Sequence, residues 1–95
     1  MEMVIGMDFE YDPQKSELNK IKHGIDFIEA QELWKDARAK ESLLGTGSET
    51  RFMVVGIVSK KHWSAIYTYR DQRIRIISVR RSRDGEVQDY EEDNR

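Results

Sequence analysis

Short apolar–polar alternations, interrupted by two stretches of helical spacing, set the order of this chain. Met7, Phe9 and Tyr11 alternate with Asp8, Glu10 and Asp12, the period-two pattern of a short strand with one buried face. Asp12-Pro13 reads as a helix start, with Asp as N-cap and Pro at the first helical position, where a missing N–H costs nothing. The spacing predicts a first helix over 13–23, with Leu18 and Ile21 on its inner face, Lys15, Lys20 and Lys22 outward, and Gly24 as a left-handed C-cap. Asp26 opens a second helix, with Glu29 completing a capping box and Ile25 and Ala30 as a hydrophobic staple. Phe27, Ala30 and Trp34 form its core stripe with Leu33 beside it, and it ends within 36–39. The segment 40–48, KESLLGTGS, reads as a loop with two glycines. Strands come next over 50–58, 63–69 and 73–79, joined by links at 59–62 and 70–72 that suit antiparallel hairpins. A short terminal helix over 85–92 would take Asp84 as its cap and Val87 and Tyr90 as anchors. The expected fold is therefore α+β: two N-terminal helices on a mainly antiparallel sheet of about four strands, with a short C-terminal helix.

Length and composition narrow the picture. Ninety-five residues suit a single domain over 1–95 that buries about two-thirds of its unfolded surface. Met1 to Gly6 read as an extension or a tag remnant, because Met7 can also begin the chain. The absence of cysteine removes disulfides, thiol catalysis and Cys-based zinc sites, and two histidines are too few for a histidine-rich metal site. We expect no cofactor and no metal. No apolar run approaches the ~20 residues of a membrane span and no signal peptide is visible, so a cytoplasmic protein is expected.

Charge changes the picture more. The net charge is −2, but it is laid down in blocks. Between Arg70 and Arg83 lie six arginines and one acid, Asp71, and the run Ile74, Ile76, Ile77, Val79 threads through them. From Asp84 onward six acids face one base, Arg95. Strict alternation would place Arg73 and Arg75 with Ile77 and Val79, and Arg80 with Ile74, Ile76 and Ser78. Neither face is then wholly apolar, so each changes character along its length. Guanidinium forks match phosphate oxygens two at a time and stay charged. A polyanion-binding strand and an edge strand carrying arginines for solubility and ion pairs both fit this pattern.

Several motifs together resemble a known family. Phe9-Glu10-Tyr11-Asp12, Lys15, Asn19, Lys22-His23-Gly24-Ile25, Phe27 and Ala30 resemble the N-terminal signature of the BrnT family. Leu33-Trp34 with Asp36, then Glu49-Thr50-Arg51, Gly56, Tyr67-Thr68-Tyr69-Arg70 and Ile74 through Arg81, are similar to its later elements. The sequence departs from that pattern at Tyr11, where tryptophan is usual, and after Arg83, where acids replace an otherwise basic segment. The resemblance implies a RelE-like ribonuclease fold and a toxin of a type II toxin–antitoxin pair. It also implies RNA cleavage that arrests translation, and a BrnA-like antitoxin that forms a hetero-oligomer with the toxin and carries the contact with operator DNA.

Metal-free RNA cleavage needs a base for the 2′-hydroxyl, charge for the phosphorane oxygens and an acid for the leaving 5′-oxygen. His23 is a candidate for either proton role, since histidine titrates near neutrality; as a helix C-terminal residue it could equally serve the last carbonyls. Lys22 is a candidate for charge stabilisation, although neighbours on a helix point about 100° apart. Glu49 and Arg51 share a strand face and could act as base and phosphate clamp, or form a plain surface pair. Arg70 and Arg75, followed by Arg80, are the candidates for phosphate charge, and at most one of Arg75 and Arg80 is expected to face a one-sided site. Lys60, Lys61 and Arg73 are candidate contacts to the mRNA backbone. Tyr67 and Tyr69 could stack bases or simply cover a core edge, and Trp63 beside His62 is read as core. A toxin-fold subunit that binds antitoxin with weak or absent nuclease activity is the second reading of the whole.

Overall fold

The computed structural model describes residues 8–94, so Met7 and the extension Met1 to Gly6 lie outside the described residues. In chain order the elements are β1 (Asp8–Glu10), α1 (Pro13–His23), a 3₁₀ helix (Glu29–Lys35), β2 (Lys40–Gly45), β3 (Arg51–Val58), β4 (Lys61–Arg70), β5 (Arg73–Arg81) and α2 (Asp84–Asp93). Among the described residues the five strands make one mixed sheet in the order β1-β5-β4-β3-β2, with β1 parallel to β5 and the other pairings antiparallel. The fold is α+β, as expected, but the sheet is wider than four strands.

Local chemistry accounts for α1. The Asp12 carboxylate accepts from the Gln14 N–H at 2.9 Å, Pro13 occupies the first position, and Gly24 closes the helix at φ 87°. Its orientation reverses the expectation. Leu18 and Ile21 are exposed, and the buried residues are Ser16 and Asn19. Ser16 Oγ accepts from the Phe27 N–H at 2.9 Å. Asn19 donates to the Ile25 and Val79 carbonyls at 2.8 and 2.9 Å and accepts from the Val79 N–H at 3.2 Å. Pairing of β1 with β5 extends only from Arg73 to Arg75, so the polar side of α1 serves backbone groups that the sheet leaves over.

Asp26 and Glu29 form the expected capping box: the Asp26 carboxylate takes the Ile28 and Glu29 N–H groups, and Glu29 takes the Asp26 N–H. The segment beyond this box is a 3₁₀ helix and not an α-helix. Ile25, Phe27, Ala30 and Leu33 are nevertheless buried against Val54, Trp63, Ala65, Tyr67, Ile74, Ile76 and Val79 on one face of the sheet. Segment 40–48, expected as a loop, contains β2. Its residues are almost all exposed, so backbone pairing with β3 and not apolar alternation holds it in place. The hairpin turns are tighter than expected. Ser59-Lys60 and Asp71-Gln72 all have positive φ, the signature of two-residue type I′ turns. At α2, the N-cap is Arg83 and not Asp84, which is the first helical residue.

The other face of the sheet carries α2. Glu86 and Glu91 of this helix reach Ser64, Arg80 and His62, side chains that point away from the core. Tyr90 is buried and donates its hydroxyl to Asp36 at 2.8 Å, and Asp36 also accepts the Ile57 N–H at the end of β3. Burial pushes the Tyr90 hydroxyl up to about 12, and the Asp36 carboxylate adds to that. Burial also pushes Asp36 upward, yet the Arg38 N–H, the Tyr90 hydroxyl and the Ile57 N–H outweigh it and hold the carboxyl below its ordinary value.

Candidate nucleic-acid interface

One irregularity in β5 decides how its arginines are displayed. The register runs Ile66↔Ser78 and then Tyr67↔Ile76, so Ile77 is an extra residue, a β-bulge. Past it the side-chain parity reverses. Ile74, Ile76 and Val79 all enter the core, at 0%, 2% and 0% exposure. Cross-strand partners share a face, so Arg73, Arg75, Ser78 and Arg80 stand together on the other side with Arg70, Thr68 and Ser64 of β4. The expectation that Arg75 and Arg80 point oppositely is therefore wrong; strict alternation does not survive an inserted residue.

Three of the four arginines of β5 are each met by a carboxylate. Arg75 donates to Glu10 of β1 at 2.7 Å, and Arg73 lies 3.6 Å from Asp8. Arg80 donates through both terminal nitrogens to Glu86, at 2.8 Å each. Those bonds, opposed by burial and helped by the Arg83 N–H and the Ser64 hydroxyl, hold the Glu86 carboxyl down at about 2. The same partnership raises Arg80 above its ordinary value, so both charges are fixed at any working pH. Between Arg75 and Arg80 a shallow groove separates β5 from α1, lined by Lys15, Leu18, Lys22, His23, Ile77 and Ser78. Lys22 and His23 thus both border one groove despite their angular separation. Lys61 lines an adjoining cleft with Gly24 and Trp63, which continues the cationic edge past the end of α1.

A strand of arginines bordering a lysine–histidine groove suits a polyanion, and comparison with protein families agrees. A family model described as the ribonuclease toxin, BrnT, of type II toxin–antitoxin systems matches residues 11–86. The chain belongs to the BrnT family. No curated protein matches it. Membership gives the chain the general role of a ribonuclease toxin whose counterpart is an antitoxin. The BrnT match begins one residue after Glu10 and ends on Glu86, so both β5 with its bulge and α1 with its groove fall inside it. Among the described residues, no helix is long and apolar enough to cross a membrane.

Other residues singled out from the sequence lie elsewhere on this BrnT chain. Glu49 sits in the β2–β3 loop with Thr46 and Ser48, and Arg51 begins β3. Arg51 stands two strands from β5, about 10 Å across the sheet, so this pair does not join Lys22 and His23. Arg70, Arg73 and Arg51 cluster instead toward the β4–β5 turn, where Thr68 donates to the Thr50 carbonyl at 2.6 Å. Lys60 occupies the β3–β4 turn, at the opposite end of β4. Tyr67 is buried at 0% exposure and packs on Phe52 and Trp34, so its ring covers the core and is closed to a base. Tyr69 is half exposed, but it too stands on the core face, turned from the arginines and 3.4 Å from Glu41. Trp63 is core, with the Arg81 guanidinium 5.5 Å from its ring centre. His62 is held at 2.7 Å by Glu91. Glu10 and Glu86, the partners of the arginines, are not singled out by sequence reasoning. Their one signal is the acid blocks at either end of the chain, which are brought onto the same sheet face only by the fold.

Proposed function

We propose that the chain is an endoribonuclease that cuts single-stranded mRNA without a metal and so arrests translation and growth. The observation that carries this reading is the bulge at Ile77, because it sets Arg75 and Arg80 on one face beside the groove of Lys22 and His23. The two arginines lie about 15 Å apart along the strand, too far to share one phosphate, so they hold different phosphates of one RNA strand. The scissile phosphate lies at Arg75, and Arg80 holds the strand at a phosphate farther along. The 2′-oxygen attacks phosphorus in line, the bond to the 5′-oxygen breaks, and a 2′,3′-cyclic phosphate and a 5′-hydroxyl result. His23 takes the 2′-hydroxyl proton or supplies the one that the 5′-oxygen gains, with water completing the other transfer, while Lys22 and Arg75 carry the charge of the phosphorane. A RelE-like arrangement, a cytoplasmic setting, and neutralisation by a BrnA-like antitoxin that carries operator binding belong to the same reading.

A second reading, a subunit that binds antitoxin with weak or absent nuclease activity, draws on the carboxylates, which occupy both terminal nitrogens of Arg80 and one of Arg75. Cleavage of a defined single-stranded RNA in the presence of EDTA separates the two. Wild type should cut, and Arg75→Ala should cut about 100-fold more slowly while remaining folded. Equal single-turnover rates for the two proteins would remove Arg75 from the chemistry, and no cleavage by a folded wild type would favour the binding subunit.

A further inference from the structure

α1 is inside out. Its polar residues Ser16 and Asn19 are buried, whereas Leu18 and Ile21 are 63% and 82% exposed. Ile28, 62% exposed, stands across a shallow apolar trough from Ile21, with Tyr11 and Pro13 along its side. Single exposed aliphatics are ordinary; three grouped around one helix and its trough mark a protein contact. Charge is divided between the two sides of the helix: Glu17 and Asp26 line the trough with Lys20, whereas cations stand on the side toward β5. Lys15 and Lys22 lie three residues before and four after Leu18, on the same helical stripe. Lys20 is occupied by Glu29 at 2.8 Å.

We infer that this stripe of α1 is the docking surface for the antitoxin, through a segment with an apolar face and an acidic flank on the side toward β5. The inference rests on the proposed reading that the partner neutralises the chain, and it supplies a means. Leu18, three residues before Ile21 and so its neighbour on the helix surface, lines the groove with Lys22 and His23. An occupant seated on Leu18, Ile21 and Ile28 overhangs that groove and pairs with the cations RNA needs, so neutralisation is direct occlusion. The exposed leucines of β2, Leu43 and Leu44, are the competing apolar surface, but β2 is the far edge strand from β5. A partner there would leave the groove open.

The test titrates purified antitoxin into the full chain by calorimetry and follows RNA cleavage in parallel. Ile21→Glu and Ile28→Glu, made separately, should each weaken antitoxin binding by about 100-fold, as removal of a central apolar anchor does. Both should still cut RNA, now uninhibited by antitoxin at concentrations that silence wild type. Lys15→Glu should weaken binding by about tenfold, and Leu43→Glu should leave it unchanged. Wild-type affinity in both isoleucine variants would overturn the proposal, as would loss of binding in Leu43→Glu alone. A free chain that is dimeric and becomes monomeric in Ile21→Glu, with antitoxin affinity intact, would assign the stripe to a second copy instead. Absence of cleavage by wild type would sink the ribonuclease reading, while the affinities would still decide the docking surface.

Discussion

Replacing Glu86 with glutamine tests what fastens α2 to the sheet. The side chain is 17% exposed and accepts four hydrogen bonds, two from Arg80, one from the Ser64 hydroxyl and one from the Arg83 N–H. Its fall from an ordinary 4.5 to about 2 is a stability statement. A carboxyl depressed by folding contributes stability that is complete above its unfolded value and is lost as pH falls through its folded value. The window is therefore from 4.5 down to about 2, and the amount is about 3 kcal/mol. Glutamine keeps the shape and one acceptor oxygen but leaves Arg80, only a quarter exposed, without its counter-charge. Urea unfolding at about pH 7 should show Glu86→Gln less stable by about 2–3 kcal/mol at an unchanged m-value, and the gap to wild type should close toward about pH 2. A gap below about 0.5 kcal/mol at neutral pH, or one that persists undiminished into acid, would refute the reasoning.

Asn19→Ala removes the group that serves the Ile25 carbonyl and both backbone groups of Val79; buried polar groups left unpaired should cost about 2–4 kcal/mol in denaturant unfolding. Gly24→Ala meets no atom within 4 Å, so the cost should be only that of a side chain at φ 87°, about 1 kcal/mol or a fall of about 4–8 °C in Tm, with Gly24→Asn losing less.

Legibility in the sequence tracks the range of the interactions. The ends of α1 can be read because Asp12, Pro13 and Gly24 act on their immediate neighbours. Its buried side cannot, because the partners of Asn19 stand as far as 60 residues away. The strands β3, β4 and β5 announce themselves through apolar alternation, while β2 has none to show and exists because β3 offers a free edge. The β5 bulge leaves a trace: the core positions Ile74, Ile76 and Val79 are spaced two and then three, and a strand with mixed faces on strict alternation is what one inserted residue produces. For the candidate site, the cations are visible as residue types; Lys22 and His23 border one groove, and Arg75 and Arg80 share one sheet face. Their spatial partners, Glu10 and Glu86, come from opposite ends of the chain and require the fold.

The pairing of β1 with β5 has a consequence for synthesis. Glu10 meets Arg75 across 65 residues, and β5 sits between the earliest described strand and β4. Every part of the arginine face and one wall of the groove belong to, or lean on, a strand made more than 60 residues after β1. A nascent or prematurely terminated chain lacking β5 has neither the guanidinium row nor the edge that orients α1. Long-range closure of this kind is slow relative to local folding. The ribosome therefore makes β1 through β4 before the arginine face can form.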